Sequence, residues 1–163
     1  MTEILIDILK DIPPQIATLI IAMIPIGELR ASIPVALGVY NLSHIASYIY
    51  SVIGNMIPVV AILLIFDPIS KWLMKKFSIF NRIFNWLFEK TRTRHTKKFE
   101  RWGTVALITL VAIPLPLTGG YTGALAAYLF GVPFKKAFPL IFVGVLIAGI
   151  IVTIISTGIY NVI

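Results

Sequence analysis

The stretch Pro25-Ile26-Gly27-Glu28-Leu29-Arg30-Ala31-Ser32-Ile33-Pro34 decides the fold of this chain, because it interrupts an otherwise apolar block with two charges and two prolines. The residues on either side, 16–23 and 35–39, are almost entirely apolar. Proline removes a helical hydrogen bond and frees a carbonyl group. We therefore predict that residues 15–39 form two half-helices around an irregular tip, with breaks at Pro25, Gly27 and Pro34.

The composition is that of an integral membrane protein. Hydrophobic residues make up 58% of the 163, and the mean hydropathy is +0.95. Four apolar blocks are each long enough to cross about 30 Å of hydrocarbon as a helix of about 20 residues; they are residues 15–39, 45–66, 104–130 and 136–157. We predict an all-α integral membrane fold in a single membrane domain. The acidic N-terminus does not resemble a cleavable signal, and the absence of cysteine excludes disulfides and thiolate chemistry.

The basic residues are concentrated in one segment. The net charge is +7, and ten of the fourteen basic residues lie between Lys71 and Arg101, beside apolar blocks. This placement is typical of a cytoplasmic membrane face, where lysine and arginine contact anionic headgroups. We therefore place the basic segment 67–103 in the cytoplasm of a multi-pass cell-membrane protein. We expect membrane lipids, especially anionic headgroups, as partners, and no nucleic acid. The sequence is compatible with a monomer and with a homo-oligomer.

The second half of the chain repeats the order of features in the first. Each half has a broken apolar block, a polar connection and an unbroken apolar block. Ile24-Pro25 matches Ile113-Pro114 at an offset of 89, and Val52-Ile53-Gly54 matches Phe142-Val143-Gly144 at an offset of 90. The predicted unbroken spans are Ile45–Phe66, which ends at Asp67-Pro68, and Phe138–Ile155. The predicted organisation within 1–163 is a first repeat 1–66 with an amphipathic helix over 2–12, the basic amphipathic segment 67–103, and a second repeat 104–163.

The charges also predict a topology. If all four blocks crossed the membrane, Lys135 and Lys136 would lie opposite the basic segment, against the positive-inside tendency. If each broken block is instead a re-entrant hairpin, each repeat crosses once and both basic regions share the cytoplasmic side. Two repeats with one crossing each must be inverted relative to each other, as in secondary transporters. We predict this inverted arrangement, with interfacial amphipathic helices at 2–12 and from residue 71 onward.

Glu28 and Arg30 are the strongest candidates for function. An ionisable side chain at membrane depth costs at least about 2.5–3.5 kcal/mol and usually faces an interior pathway. Arg30 could bind a phosphate or carboxylate through its fork of donors, and a desolvated Glu28 could take up and release a proton that couples transport to a gradient. The alternative is a buried ion pair that only holds the two hairpins together.

The second break, Pro114 to Gly123, offers hydroxyls, glycines and helix N-termini that favour an anion, or it is only a glycine-rich packing joint. Asn55 could hydrogen-bond a hairpin carbonyl. Nothing indicates a catalytic set, a metal site or an enzyme, and no cofactor is expected beyond a proton as coupling ion. The predicted substrate-contacting residues are Glu28, Arg30, Ser32, Pro34, Asn55, Pro114, Pro116, Thr118, Gly119, Gly120 and Tyr121.

At Gly27-Glu28-Leu29-Arg30 with Ile33-Pro34, and at Pro114-Leu115-Pro116 with Thr118-Gly119, the chain resembles the small multidrug export protein family over nearly its whole length. That family is similar to the DedA and VTT-domain membrane proteins, whose shared plan is two re-entrant hairpins, each followed by a transmembrane helix. The resemblance implies transport of lipids across the bilayer, or proton-dependent resistance to cationic compounds. The chain differs from the DedA pattern, because its second tip lacks an acidic residue and an arginine soon after it.

Three hypotheses follow. The first is a transporter of an anionic lipid, such as a polyprenyl phosphate or phospholipid, in which Arg30 receives the headgroup and Glu28 exchanges a proton. The second is a proton-coupled exporter of small hydrophobic cations, in which Glu28 alternates between proton and cation. The third is a membrane scaffold that transports nothing.

Overall fold

The computed structural model describes residues 12–79, 81–82, 85, 97–115 and 118–160, and this part of the chain is helical with no strand. The helices with defined bounds are α1 Pro14–Ala22, α2 Glu28–Gly38, α3 His44–Lys76, α4 Lys97–Ala112, α5 Gly120–Leu129 and α6 Phe134–Tyr160. The predicted amphipathic helix at 2–12 lies almost entirely outside the described residues, as does much of the basic segment.

Two of these helices, α3 and α6, are long and apolar enough to cross a membrane. Their 33 and 27 residues correspond to lengths of about 50 and 40 Å at about 1.5 Å per residue. Large apolar side chains at spacings of three and four remain exposed along the outside of both helices, and they include Ile45, Ile49, Ile53 and Ile57 on α3 and Val143, Ile147, Ile150 and Ile154 on α6. Such continuous exposed apolar stripes are unfavourable in water and favourable in contact with lipid acyl chains.

The helix ends differ from those predicted from hydropathy. The first unbroken helix does not end at Asp67-Pro68 but continues to Lys76. Likewise α4 already includes Lys97, ahead of the apolar block that starts at Thr104. Hydropathy marks the part of a helix that suits lipid, whereas the backbone hydrogen bonds continue through lysines and past a single proline. Helices α3 and α4 therefore both extend beyond their apolar parts.

Each broken block consists of two helices. Residues 23–27 separate α1 from α2, and residues 113–119 separate α4 from α5. We name residues 23–30, which are the first break together with the first turn of α2, tip 1, and we name residues 113–119 tip 2. The predicted break at Pro34 is wrong, because this proline lies inside α2. It deprives one carbonyl of its helical partner without ending the helix.

The packing of the helices has the same pattern in both halves. Within each half, every helix packs against the other two: α1, α2 and α3 in the first, α4, α5 and α6 in the second. Between the halves, α3 packs against α6, α2 against α6, and α5 against α3. Exchanging α1, α2 and α3 for α4, α5 and α6 leaves this set of pairs unchanged.

Two glycines occupy equivalent places in that frame. A Cβ added at Gly54 of α3 would collide with the carbonyl oxygen of Leu19 on α1. A Cβ added at Gly144 of α6 would lie 3.1 Å from the carbonyl oxygen of Ile108 on α4, and closer still to Val111. Both glycines let the first helix of a half approach the long helix closely, as their offset of 90 in the sequence suggested.

Two tyrosines fix which ends of the helices lie together. The hydroxyl of Tyr128, near the end of α5, is hydrogen-bonded to the hydroxyl of Ser70, near the end of α3, and its ring packs edge-on against Phe66 at 5.1 Å between centroids. The hydroxyl of Tyr48, near the start of α3, donates to the carbonyl oxygen of Leu146 in α6 at 3.1 Å. The connection after α5 is therefore at the end of α3 that carries the lysines.

Candidate functional site

The two tips contact each other at the buried residues Glu28 and Gly119. Pro25 and Gly27 interrupt the first block and Pro114 and Gly119 the second, so each tip exposes backbone groups that no helix satisfies. Polar contacts between the tips join residues nearly 90 positions apart, as in the hydrogen bond from Arg30 to Thr118. The two breaks in the helical blocks thus form one site.

Glu28 lies at the centre of this site. It is the first residue of α2, and its side chain is only 6% exposed. Its backbone adopts a φ of 46°, a left-handed conformation that costs a residue with a Cβ about 1–2 kcal/mol. Surrounding contacts must therefore hold it in place, which is common where function demands a fixed side-chain position.

The carboxylate of Glu28 faces the N-terminus of α5. The backbone N–H of Tyr121 donates to its Oε1 at 3.5 Å, and the N–H of Gly120 also points to the carboxylate. The first N–H groups of a helix have no partner within it and carry a partial positive charge. A carboxylate from one half of the chain therefore caps a helix of the other half.

Asn55 of α3 lies beside the same carboxylate. Its side chain is completely buried, yet neither Nδ2 nor Oδ1 reaches hydrogen-bond geometry with any described residue. The predicted hydrogen bond to a hairpin carbonyl is therefore not formed. The amide instead contributes a dipole next to the charge of Glu28.

Arg30 reaches tip 2 from the other direction. Its Nη2 donates to the carbonyl oxygen of Thr118 at 2.8 Å, and the side chain is half-buried. The Thr118 hydroxyl, 2.8 Å from the carbonyl oxygen of Ile113 and 3.2 Å from the N–H of Leu115, closes tip 2 on itself. Arg30 thus binds a rigid carbonyl.

Gly119 makes the approach of Glu28 possible. Its φ of 152° is one that residues with a Cβ rarely adopt, and a Cβ built there would overlap the carboxylate of Glu28. The N–H of Gly119 donates to the hydroxyl of Thr122 at 3.0 Å, which leaves the next two N–H groups for Glu28. Another bond between the halves at this site runs from the Tyr121 hydroxyl to the carbonyl oxygen of Met23.

A narrow cleft remains between the tips. It is bordered by Glu28, Arg30, Pro114, Thr118 and Gly119, with Val111 and Val145 at its apolar side. Its free space suffices for about one water molecule. In this conformation the tips are closed on each other.

The structure brings together most of the residues predicted from the sequence. Pro34 lies half-buried farther along α2, and Ser32 is buried one turn beyond Glu28; Pro116 lies outside the described residues. The site itself contains Glu28, Arg30, Asn55, Pro114, Thr118, Gly119, Gly120 and Tyr121. No group of three or more potential metal ligands occurs among the described residues.

Two residues near the site were not singled out from the sequence. Ser47 and Ser51 are completely buried in α3, and together with Asn55 they recur every four residues on one face of that helix. Their hydroxyls have no hydrogen-bond partner in the described part of the chain. The spacing of four was readable in the sequence, but only the structure shows that this face is turned inward.

One comparison with known proteins gave a match. A family model described as "Putative small multi-drug export protein" matches residues 28–151, a range that begins at Glu28 and includes all of α3 and most of α6. Neither the comparison with curated proteins nor that with solved structures gave a match.

Proposed function

Because the chain belongs to the small multi-drug export protein family, we propose that it is a proton-coupled exporter of small hydrophobic cations, with Glu28 as the group that binds proton and cation in turn. The observation that carries this proposal is the place of Glu28. Among the side chains that the structure describes, it is the one charged group that is fully buried, and it lies where the two halves meet.

The contacts of Glu28 favour a cation over an anion as its ligand. A free helix N-terminus would attract an anionic group, but at α5 a carboxylate of the protein already occupies that position. Arg30 is likewise bound to a carbonyl. The carboxylate is the site's own negative charge, so a hydrophobic cation is the ligand that can compensate it.

Protonation of Glu28 would also loosen the contact between the tips. A neutral carboxyl is a weaker acceptor than a carboxylate, and it no longer neutralises the partial positive charge at the start of α5. Because the closed cleft holds about one water, a substrate can enter only when the tips separate. Exchange of a proton for a cation at one carboxylate is therefore coupled to opening.

The lengths of the helices support the inverted arrangement. Helices α1, α2 and α5 have 9, 11 and 10 residues, so each spans about 14–17 Å, half of a hydrocarbon core of about 30 Å. Ile12 and Tyr40 pack against the same small core of α1 and α2, which brings the two ends of the first block together. Each half then crosses the membrane once, through α3 or α6.

The contact between Tyr128 and Ser70 supports an assignment of the connections between helices to the two sides of the membrane. It brings Lys135 and Lys136 to the same end as the lysines of α3, which we propose is the cytoplasmic side. Cysteines at Lys75 and Lys135 should react with an impermeant thiol reagent from one face, and a cysteine at Ser43 from the other. Labelling of position 135 from the face of position 43 would overturn this topology.

Transport is tested with purified protein in liposomes. An imposed pH gradient should drive accumulation of a fluorescent hydrophobic cation such as ethidium, and Glu28→Gln should abolish it. Arg30→Gln should keep measurable accumulation, and Lys135→Gln, an exposed charge far from the tips, serves as the control. Accumulation by Glu28→Gln at the rate of the unaltered protein would refute the proposed role of the carboxylate.

Transport of an anionic lipid is the second candidate, and the position of Arg30 favours it. The guanidinium has five N–H donors, is half-buried and borders the cleft. Transfer of a fluorescent anionic phospholipid between leaflets should collapse in Arg30→Gln if a phosphate binds there. If both glutamine variants lower only the melting temperature and leave cation and lipid transport intact, the scaffold hypothesis replaces both candidates.

A further inference from the structure

Several buried polar atoms of the first half have no partner. Among the described residues they are the hydroxyls of Ser32, Ser47, Ser51 and Tyr40 and the amide of Asn55. All of them belong to α2, α3 or the connection between these helices. Buried polar groups in proteins are nearly always hydrogen-bonded, so such a cluster indicates bound water.

These atoms are arranged in levels between the membrane surface and Glu28. Helices α2 and α3 pack against each other and are joined by the short connection 39–43, so they run in opposite directions. Asn55 lies beside Glu28. Ser51 comes four residues before Asn55 and Ser32 four residues after Glu28, so both serines lie one turn nearer the surface.

The spacing suits single water molecules. Side chains four residues apart on a helix lie about 6 Å apart, which equals two hydrogen bonds of about 2.8 Å. By this spacing, one water molecule could bridge Asn55 and Ser51, and another could bridge Ser51 and Ser47. Tyr40, in the connection itself, adds a hydroxyl at the surface end.

The equivalent face of the second half is apolar. At an offset of 90, Ser47, Ser51 and Asn55 correspond to Ala137, Ile141 and Val145. These three residues are as deeply buried as their polar counterparts. Equivalent positions in the two halves are thus polar in the first half and apolar in the second.

We infer that the interface of α2 and α3 holds a file of water molecules that connects the surface at residues 40–44 with the carboxylate of Glu28. This inference rests on the proposed function in one respect: the file is the route by which protons reach the exchanging carboxyl. Each water accepts a proton from its outer neighbour and passes one inward, and the last proton binds Glu28. The path opens at the end of α3 opposite Lys71, Lys75 and Lys76.

Among the residues that the structure describes, Glu28 is the one acidic group on this path. The charged and titratable side chains that face it are Arg30 on its own helix and Tyr121 on α5. Neither lies between Glu28 and the surface at residues 40–44. The serines are therefore positioning residues for water, and the carboxylate is the terminal acceptor.

Reaction of buried thiols with Ag⁺ tests the water file, since this cation is no larger than a water molecule and reacts only where water can carry it. The chain has no cysteine of its own. Ser51→Cys should react at least ten times faster than Ile141→Cys, although both positions are 0% exposed, and Ser47→Cys should exceed Ala137→Cys in the same way. Equal rates within each pair would overturn the inference.

A second experiment tests the connection to the carboxylate. In sealed vesicles, Glu28→Cys should react with Ag⁺ from the face at residues 40–44, and adding Ser51→Val should slow this reaction at least tenfold. The matched control is Thr18→Val, because the Thr18 hydroxyl is equally buried but bonds to the carbonyl of Pro14 at 2.7 Å. No slowing by Ser51→Val, or equal slowing by Thr18→Val, contradicts the path.

The labelling experiments do not require transport. Fast labelling in a protein that fails to accumulate cations would refute the proposed export and leave the water file in place. Export with equal labelling rates in both halves would refute the water file alone.

Discussion

Substitution of Gly119 by alanine should disrupt the joint between the halves in a way that depends on Glu28. The new methyl group would overlap the carboxylate, and the φ of 152° would be strained in alanine. Such backbone strain costs about 1–3 kcal/mol. Displacing the carboxylate from the N–H groups of α5 adds about 1.5–3 kcal/mol, the usual value for hydrogen bonds to a charged group.

The expected loss of unfolding free energy for Gly119→Ala is therefore about 2.5–6 kcal/mol in the presence of Glu28. In a Glu28→Ala background only the backbone strain remains, so the same substitution should cost about 1–3 kcal/mol. The difference, about 1.5–3 kcal/mol, is the coupling energy of a double-mutant cycle.

The assay is equilibrium unfolding in mixed micelles with increasing sodium dodecyl sulfate, followed by circular dichroism for the four proteins of the cycle. Gly158→Ala is the control, since nothing lies within 4 Å of a Cβ built there and a helical glycine-to-alanine change should stabilise by up to about 1 kcal/mol. A coupling energy near zero would refute the close approach of Gly119 and Glu28.

Four further substitutions test the packing around the site and between the helices. Tyr121→Phe removes a hydrogen bond to a carbonyl of α1 and should lower the unfolding free energy by about 0.5–1.5 kcal/mol, measured by the same titration. Tyr128→Phe removes the bond to a serine hydroxyl at the end of α3 and should lower the unfolding free energy by a similar amount. Tyr50→Phe is the control for both substitutions. An equally large loss of unfolding free energy in Tyr50→Phe would contradict both hydrogen-bond assignments. Gly54→Ala and Gly144→Ala should each destabilise by about 1–3 kcal/mol through overpacking against a neighbouring helix, and a neutral effect at either glycine would show that the approach there is looser than described.

The sequence predicted the elements of the site better than their partners. Proline and glycine act locally, so the breaks at Pro25 and Pro114 could be located from residue type alone. The alternative of a buried ion pair placed Glu28 and Arg30 against each other because they are close in sequence. Their hydrogen bonds instead go to α5 and to Thr118, because the packing of distant segments decides which backbone groups reach a side chain.

Helix ends were predicted less well for a related reason. The extension of α3 to Lys76 and the position of Pro34 inside α2 depend on backbone hydrogen bonds that hydropathy does not report. The inward orientation of Ser47 and Ser51 likewise needed the arrangement of α2 beside α3. A serine in an apolar helix can face lipid or protein, and composition alone does not distinguish the two.

Because the two halves pack interchangeably, the helix packing alone cannot give a transporter of this kind a preferred direction of transport across the membrane. In the inverted arrangement proposed above, a frame whose helix pairs are unchanged by exchanging the halves would treat both faces of the membrane alike. The difference between the faces must then reside in side chains, such as the serines and asparagine of α3 and the aliphatic residues at the same places in α6. A few side chains would thus determine the direction of transport. Exchanging these side chains between the halves could reverse that direction in evolution without changing how the helices pack.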